Sequence, residues 1–384
     1  MNNPQIFLLA PDSFKESMTS KEACRAMELG IKSVLPLAQC IHVPMADGGE
    51  GTMQALVDAT GGKIYKTIVK GPLGNDVEAE YGILGDNETG VLEMSSASGI
   101  HLVTRDLRNP LITSTYGTGQ LIKAALNHPI KKLLIGIGGS ATNDGGAGMA
   151  QALGIKFLDV AGNEIGSGGG ELIKIDRIDT TGFLLSRYEN LTIEVACDVT
   201  NTLTGENGAS YTFAHQKGAT EEMAKQLDAN LEHYADKIKI STGKDVSMVA
   251  GAGAAGGLGA GLMAFLDAKL SKGIELVTKY AELEEKIKNA DFVFTGEGSI
   301  DHQTQYGKTP MGVAQVAKKY NKPVIAFAGK VGDVSALYDH GIDAIFCITN
   351  GAGTLDDALA NATINLENTT TQVVRLMKIK CFDK

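Results

Sequence analysis

The chain has 384 residues, of which 43% are hydrophobic and 21% are charged, and its formal net charge is −10. That length accommodates two domains, each with its own core. The hydrophobic and charged fractions are ordinary for a globular protein, and the clustered, non-periodic glycines exclude collagen-like or low-complexity sequence. The scattered lysines and arginines form no basic patch, which argues against a nucleic-acid partner. No apolar run approaches the ~18 residues that a membrane-spanning helix requires.

The cysteines and the N-terminus predict a cytoplasmic protein. Five cysteines are widely spaced without a CxxC motif, as expected for free thiols in a reducing compartment. The first apolar run, Ile6–Ala10, is too short for a signal peptide and lacks a basic flank.

Glycine is the unusual component, with 47 residues, or about 12% against a usual ~7%. Glycine lets a backbone turn tightly and approach a ligand closely. The excess is clustered, which predicts several ligand-facing turns; the clusters are 48–51, 136–148, 166–170, 251–261 and 296–298.

The N-terminal part alternates strand and helix. Ile6–Ala10 is a predicted strand, and Thr19-Ser20-Lys21-Glu22 is a capping box that opens a helix. Ile41–Met45 is a second predicted strand, and another helix starts near Glu50.

The middle of the chain has a different rhythm. Residues 64–115 contain stretches with an alternating pattern, turns between them, and few long helical patterns. Strands are predicted at 132–137 and 191–197, and apolar residues at helical spacing predict a helix over 220–240.

The C-terminal part returns to the first rhythm. The predicted elements are strands at 292–295, 324–328 and 344–349, helices at 310–320 and 334–340, and a last helix opened by Thr354. Strands alternating with helices indicate a parallel α/β sheet. We therefore expect a two-domain α/β fold: a doubly wound, Rossmann-like parallel-sheet domain from 1–68 and 286–384, and a second α/β domain, 69–285, inserted into it.

The segment Gly138–Met149 is the strongest candidate site. It follows a buried strand and combines five glycines with short polar side chains. Bare N–H groups and hydroxyl or amide side chains suit phosphate or carboxylate oxygens. The candidate substrate-binding residues here are Gly139, Ser140, Thr142, Asn143 and Asp144.

Three further acidic motifs follow predicted strands, where ligands bind in open α/β sheets. Asp12-Ser13-Phe14-Lys15 combines acid, hydroxyl and amine, although a plain loop with a solvated lysine is the alternative. In Asp47-Gly48-Gly49-Glu50, Asp47 is a candidate for Mg²⁺ or proton transfer, whereas a helix-dipole role can explain Glu50. Asp198 ends the strand 191–197; accepting a hydroxyl proton and forming a turn are about equally favoured there.

The strand at 292–295 leads into a motif with candidate metal and phosphate ligands. Glu297 and Asp301 could hold a metal ion, and Lys308 could neutralise a phosphate. Gly307-Lys308-Thr309 resembles the end of a P-loop, but His302 stands where the first glycine belongs, so that interpretation fails.

Gly251–Gly256 matches the dinucleotide pattern G-x-G-x-x-G. No clear strand precedes it, so helix packing or an anion-facing helix start explains it better.

Together these motifs resemble those of the bacterial glycerate kinase family, of the glycerate 2-kinase type. The resemblance also includes Gly71-Pro72-Leu73-Gly74 and Cys197-Asp198-Val199-Thr200-Asn201, and it covers nearly the whole chain in the family's order. Two departures are small: Glu16 replaces a common glycine, and Thr202 replaces a common proline.

The resemblance implies ATP-dependent phosphorylation of D-glycerate with Mg²⁺, in a cleft between two α/β domains, and it favours the 2-position. Two other functions stay open: an NAD-dependent oxidoreductase resting on Gly251–Gly256, and a non-catalytic sensor of sugar acids or phosphates.

Physical reasoning then assigns roles within that chemistry. The predicted catalytic residues are Lys15, Asp47 and Asp198, with Asp12 and Ser13 added to the substrate-binding set. The predicted metal ligands are Glu297 and Asp301. The predicted nucleotide- or phosphate-binding residues are Gly253, Gly256, Gly296, Gly298 and Lys308.

Overall fold

The fold is described from a computed structural model of the chain, covering residues 4–188 and 190–379. Within those ranges no helix is both long and apolar enough to cross a membrane. Cys24, Cys40, Cys197 and Cys347 are free thiols, while Cys381 lies outside the described residues.

Strands and helices alternate along much of the chain. The strands are β1 Ile6–Leu9, β2 Gln39–His42, β3 Lys63–Lys70, β4 Asp76–Ile83, β5 Thr89–Glu93, β6 Lys132–Gly136, β7 Lys156–Leu158, β8 Arg177–Asp179, β9 Thr192–Ala196, β10 Lys269–Ser271, β11 Phe292–Ile300, β12 Val324–Val331 and β13 Ala344–Cys347. The α-helices are α1 Ser20–Val34, α2 Thr52–Thr60, α3 Ser95–Ser98, α4 Tyr116–Ala125, α5 Ala147–Ala152, α6 Ala209–Phe213, α7 Glu221–Thr242, α8 Ala254–Leu266, α9 Gly273–Tyr280, α10 Leu283–Lys288, α11 Thr309–Lys318, α12 Ser335–Asp339, α13 Leu355–Ala360 and α14 Ala362–Met377.

The chain divides into two compact units. Unit 1 comprises residues 1–47, 54–61 and 274–384, and unit 2 comprises 48–53 and 62–273. The chain passes between the units four times, and the passages near 61 and 273 lie closest to the predicted limits at 68 and 285. The passage near 61 precedes β3, because Lys63–Lys70 pairs along its whole length with Asp76–Ile83. A predicted limit at 68 would cut that hairpin.

Unit 1 is built on a five-stranded parallel sheet in the order β13-β12-β11-β1-β2. Relabelled along the unit, this is the doubly wound order 2-1-3-4-5, with its switch point between β1 and β11. Strand β11 is longer than predicted, because Ser299 and Ile300 continue the ladder to Lys330 and Val331 of β12. The carboxyl end of β1 lies beside the middle of β11, with Leu9 paired to Phe294.

One face of the unit 1 sheet is covered by α1 and α14. The predicted capping box at the start of α1 is present: Thr19 Oγ1 accepts from the Glu22 N–H at 3.2 Å, and Glu22 Oε2 accepts from the Thr19 N–H at 2.8 Å. Gly30 allows close packing, since a Cβ there would lie 2.6 Å from the Glu367 carbonyl oxygen on α14. The apolar face of α1 is thereby fixed against the core around Phe7 and Phe294.

Unit 2 has a mixed six-stranded sheet in the order β10-β9-β6-β5-β4-β3. Strands β5, β6, β9 and β10 are parallel, while β3 and β4 add an antiparallel hairpin at one edge. The hairpin and β5 account for the alternation in residues 64–93, and only short helical turns follow as far as residue 107. Helices α4, α5, α7 and α8 contribute to one continuous hydrophobic core with this sheet.

Candidate functional site

In unit 1, three adjacent strands of the sheet carry the acidic residues that the sequence singles out. Asp12 follows β1, Asp47 follows β2, and Glu297 lies within β11. Parallel strands end at the same edge of a sheet, so these carboxylates share the edge where doubly wound folds bind ligands. The three are close enough for Asp12 and Asp47 to raise the pKa of Glu297 through their charge.

Asp12 is held firmly at the switch point. Its Oδ1 accepts from the Ser13 N–H at 2.6 Å, and its Oδ2 accepts from the Thr309 hydroxyl at 2.5 Å. The Asp12 N–H donates to the Gly296 carbonyl of β11 at 2.8 Å. Burial raises the pKa of Asp12 to about 6, with the Asp47 charge adding to the rise and the hydrogen bond from Thr309 opposing it.

Glu297 has one cationic neighbour and one hydroxyl donor. Lys308 Nζ lies 3.7 Å from Glu297 Oε1, and the Thr304 hydroxyl donates to the same oxygen at 3.0 Å. Burial raises the pKa of Glu297 to about 7, although Lys308 lowers it. This carboxylate is therefore partly protonated near neutral pH.

Asp301 caps a turn that contacts Glu297. Its Oδ1 accepts from the Gln303 N–H at 2.8 Å, and the 3₁₀ turn over residues 302–306 follows. Thr304 of that turn accepts from the Asp301 N–H at 3.2 Å and donates to Glu297. Asp301, predicted as a metal ligand, is thus engaged in capping the turn that positions Glu297.

The remaining predicted residues of unit 1 surround Asp12. Lys15 is exposed, and Gly298 lies beside its segment: a Cβ at Gly298 would be 3.5 Å from the Lys15 backbone nitrogen, an ordinary contact distance. Gly296 serves the sheet, because a Cβ there would meet the Phe327 carbonyl of β12 at 2.4 Å.

The carboxylate oxygens of unit 1 are the kind of ligand that a hard divalent cation such as Mg²⁺ prefers. In the part of the chain that the structure describes, no three His, Cys, Asp or Glu side chains are grouped to hold a metal ion. Mg²⁺, however, usually takes one or two protein carboxylates and completes its shell with phosphate oxygens and water. Asp12 and Glu297 are half-buried oxygen donors whose charges are only partly compensated, so two such ligands are available.

Unit 2 contains a pocket of about 330 Å³, near the lower limit for small-molecule sites. Gly138, Gly139 and Ser140 line one side of it, and Asp198 lies in the wall at the end of β9. Asp198 Oδ1 accepts from the Gly273 N–H at 3.0 Å, which orients its carboxylate. The predicted substrate loop and the predicted proton acceptor therefore meet at one pocket.

The other polar residues of the Gly138–Met149 segment lie in the interior and do not line the pocket. Thr142, Asn143 and Asp144 are at most 1% exposed. Asp144 accepts from the Thr115 N–H at 2.8 Å and from the Thr115 hydroxyl at 2.9 Å, and also from the N–H groups of Gly146 and Gly148. Asp144 therefore holds the conformation of the Gly138–Met149 segment from the protein interior.

Lys217 is a residue of this pocket that sequence reasoning missed. It lies in the 3₁₀ turn His215–Lys217, is 1% exposed, and lines the pocket. Burial lowers the pKa of its amine to about 7, and the charge of Asp144 partly offsets that effect. Nothing in the segment His215-Gln216-Lys217-Gly218 distinguishes this lysine from a solvated one.

The glycines of 251–257 serve packing. A Cβ at Gly253 would lie 2.1 Å from the Thr202 carbonyl, and one at Gly256 would lie 2.0 Å from the Thr142 carbonyl. Residues 247–253 are turns without a strand. The dinucleotide pattern therefore lacks its strand, and the oxidoreductase alternative loses its structural basis.

Comparison with known proteins identifies the family. A family model described as the glycerate kinase family matches residues 7–378. The chain belongs to the glycerate kinase family. A glycerate kinase from Bacillus subtilis (strain 168) is 52% identical over 373 residues, which are 97% of each chain. A glycerate 2-kinase from Escherichia coli (strain K12) is 51% identical over 373 residues, covering 97% of this chain and 98% of that protein.

A solved structure extends the likeness to the fold. The crystal structure of a candidate glycerate kinase 2 from Salmonella typhimurium LT2 matches with a TM-score of 0.91 at 48% identity, covering 98% of this chain and 99% of that one. The predicted α/β fold class and the predicted enzyme class, a glycerate kinase, are confirmed by these matches. A non-catalytic sensor is not consistent with such near-complete likeness to enzymes.

Proposed function

We propose that this kinase transfers the γ-phosphoryl group of ATP to the 2-hydroxyl of D-glycerate. The observation that carries the proposal is the full-length likeness to a protein described as a glycerate 2-kinase, at 51% identity. The pocket of unit 2 and the carboxylates of unit 1 supply the two kinds of chemistry that such a reaction needs.

The unit 1 group is assigned to the phosphate side of the reaction. Asp12 and Glu297 would hold Mg²⁺, with Asp47 as a further acidic neighbour. When bound, Mg²⁺ neutralises phosphate charge during phosphoryl transfer. Lys308, 3.7 Å from Glu297, orients that carboxylate, and the exposed Lys15 is free to pair with a phosphate oxygen. Gly298 lies beside the Lys15 backbone, whereas Gly296 packs against β12.

The unit 2 pocket is assigned to glycerate. Ser140 and the backbone around Gly139 face the pocket, where N–H and hydroxyl groups can donate to carboxylate or hydroxyl oxygens. Asp198, oriented by the Gly273 N–H, would accept the proton of the attacking hydroxyl. Thr142, Asn143 and Asp144 maintain the loop conformation from the interior.

Substitution of Ser140 tests which ligand the pocket holds. Ser140→Ala removes one hydroxyl donor at the pocket wall, so the KM for D-glycerate should rise about 5- to 10-fold while the KM for ATP changes less than twofold. Ser167→Ala, an exposed serine of the same unit, is the matched control and should leave both unchanged. ADP release is followed with each substrate varied in turn. A rise confined to the KM for ATP would move this pocket to the nucleotide.

A further inference from the structure

Lys217 occupies a costly position for a lysine. Its side chain is 1% exposed, and lysines are almost never fully buried unless they are paired. Desolvation of an ammonium group is expensive, which is why its pKa falls to about 7. A residue that serves the fold alone would be better replaced by an apolar side chain of the same volume.

The contacts of the amine leave it short of partners. Lys217 Nζ donates to the Thr142 carbonyl at 2.7 Å, and this is its one hydrogen-bond acceptor within the described ranges. An ammonium group has three protons to donate. Asp144 acts on the amine through its charge, but its oxygens already accept from Thr115, Gly146 and Gly148.

The pocket next to this amine is almost uncharged. Among the residues that line it, Lys217 and Asp198 are the two with charged side chains, and most of the others are glycine, alanine or larger apolar residues. A small ligand with an anion for Lys217 and a hydroxyl for Asp198 would match these two side chains. A 2-hydroxy acid carries those two groups on adjacent carbons.

We propose that Lys217 binds the carboxylate of the substrate and makes the pocket selective for hydroxy acids over neutral polyols. The inference rests on the proposed function, in which glycerate occupies the unit 2 pocket. It adds the charge that the Gly138–Ser140 loop lacks. Lys217 lines the pocket, and the carbonyl of the interior residue Thr142, part of the glycine-rich segment, holds its amine in place.

The decisive variant is Lys217→Met in the full-length chain, because methionine keeps the length of the side chain and removes the charge. Truncating one partner of a buried charge pair typically weakens binding by about 30-fold or more. The KM for D-glycerate should therefore rise about 30-fold or more, whereas the KM for ATP should stay within twofold. The rate with glycerol, which lacks the carboxylate, should not fall.

Lys237→Met is the matched control. Lys237 lies in the same unit and also donates to a backbone carbonyl, that of Asp176 at 2.8 Å, but it does not line the pocket. Its loss should leave both KM values within twofold. Thermal unfolding shows whether both variants are folded under the assay conditions. A purely structural lysine would leave the selectivity unchanged.

A second measurement needs no variant. With the wild-type enzyme, glyceramide, the neutral amide of glycerate, should show a KM at least about 30-fold above that of D-glycerate. Equal KM values for the two compounds, or a Lys217→Met variant whose KM for glycerate is unchanged, would overturn the role of Lys217 while the kinase activity stands. Absence of ADP release by the wild type with D-glycerate would instead overturn the proposed function itself.

Discussion

The hydroxyl of Thr309, the first residue of α11, donates a 2.5 Å hydrogen bond to the carboxylate of Asp12, which follows β1. This bond joins two segments that are 297 residues apart in the sequence. It lowers the pKa of Asp12 against the effect of burial, and so favours the ionised form that can bind a cation.

Replacing Thr309 should therefore change the pH dependence of the reaction. Thr309→Val keeps the shape and removes the donor, so the pKa of Asp12 should rise above about 6 by roughly one unit. The acidic limb of the profile of kcat/KM for ATP should move to higher pH by the same amount. Thr309→Ser retains a hydroxyl and should behave as the wild type. If the pH profile of Thr309→Val equals that of the wild type, ionisation of Asp12 does not control the reaction rate.

The raised pKa of Glu297 predicts that the stability of the folded protein falls as the pH rises. Its pKa of about 7 in the folded protein exceeds the ordinary 4.5, so the folded state binds the proton more tightly than the unfolded state. Stability should then fall as the pH rises from about 4.5 to 7, where the wild type must ionise a half-buried group. Above pH 7 and without metal, Glu297→Gln should be more stable than the wild type by about 1–3 kcal/mol.

The comparison is made by thermal unfolding in chelator at pH 5, 6, 7 and 8. The advantage of Glu297→Gln should grow with pH, and Mg²⁺ should reduce it, because metals bind the ionised carboxylate. Glu222, whose pKa is lowered by hydrogen bonds from its own N–H and from Thr220, is a control whose replacement by Gln should act with the opposite sign. An advantage of Glu297→Gln that is constant with pH would refute the argument.

Lys15 should matter for turnover and little for folding. It is exposed, and no ion pair to it occurs within residues 4–188 and 190–379. If it neutralises the transferring phosphoryl group, Lys15→Ala should lower kcat by roughly 10²–10³ while the melting temperature stays within about 2 °C. Lys21→Ala, an exposed lysine of the same unit that pairs with Asp58, should keep normal turnover. Turnover of Lys15→Ala near the wild-type rate would exclude this role.

Glu16 offers a test of local backbone strain. Its φ is +63°, in the left-handed region that a residue with a Cβ adopts at a cost of about 1–2 kcal/mol. The glycine that is common in the family at this position would avoid the cost. Glu16→Gly should stabilise the protein by about 0.5–1 kcal/mol after the entropy of the unfolded chain is deducted.

The control for that change is Glu22→Gly, which removes the capping box of α1 and should destabilise the protein. Chemical denaturation measures both variants. Loss of stability in Glu16→Gly would mean that the side chain contributes more than its backbone conformation costs.

The sequence alone predicts more of the candidate site in unit 1 than in unit 2. Asp12, Asp47 and Glu297 can be found because each ends or follows an apolar run, and parallel strands bring such ends to one edge. The positions of Thr142, Asn143 and Asp144 cannot be found in this way. Their burial depends on Thr115 and on packing against distant glycines, which no local pattern encodes.

The role of Lys217 and the position of the domain boundary also cannot be predicted from local sequence patterns. Lys217 reaches the glycine-rich segment across 75 residues, and its own neighbours in the sequence resemble an exposed turn. The boundary near 61 depends on the pairing of β3 with β4, which a hydrophobicity pattern cannot assign to one domain or the other. Long-range packing therefore decides what local spacing leaves open.

The measurement that tests the account most directly is identification of the product formed from ATP and D-glycerate with Mg²⁺ by ³¹P nuclear magnetic resonance. The account predicts stoichiometric ADP and a single phosphate ester on the 2-position of glycerate. An ester on the 3-position, or hydrolysis of ATP without transfer to glycerate, would contradict it.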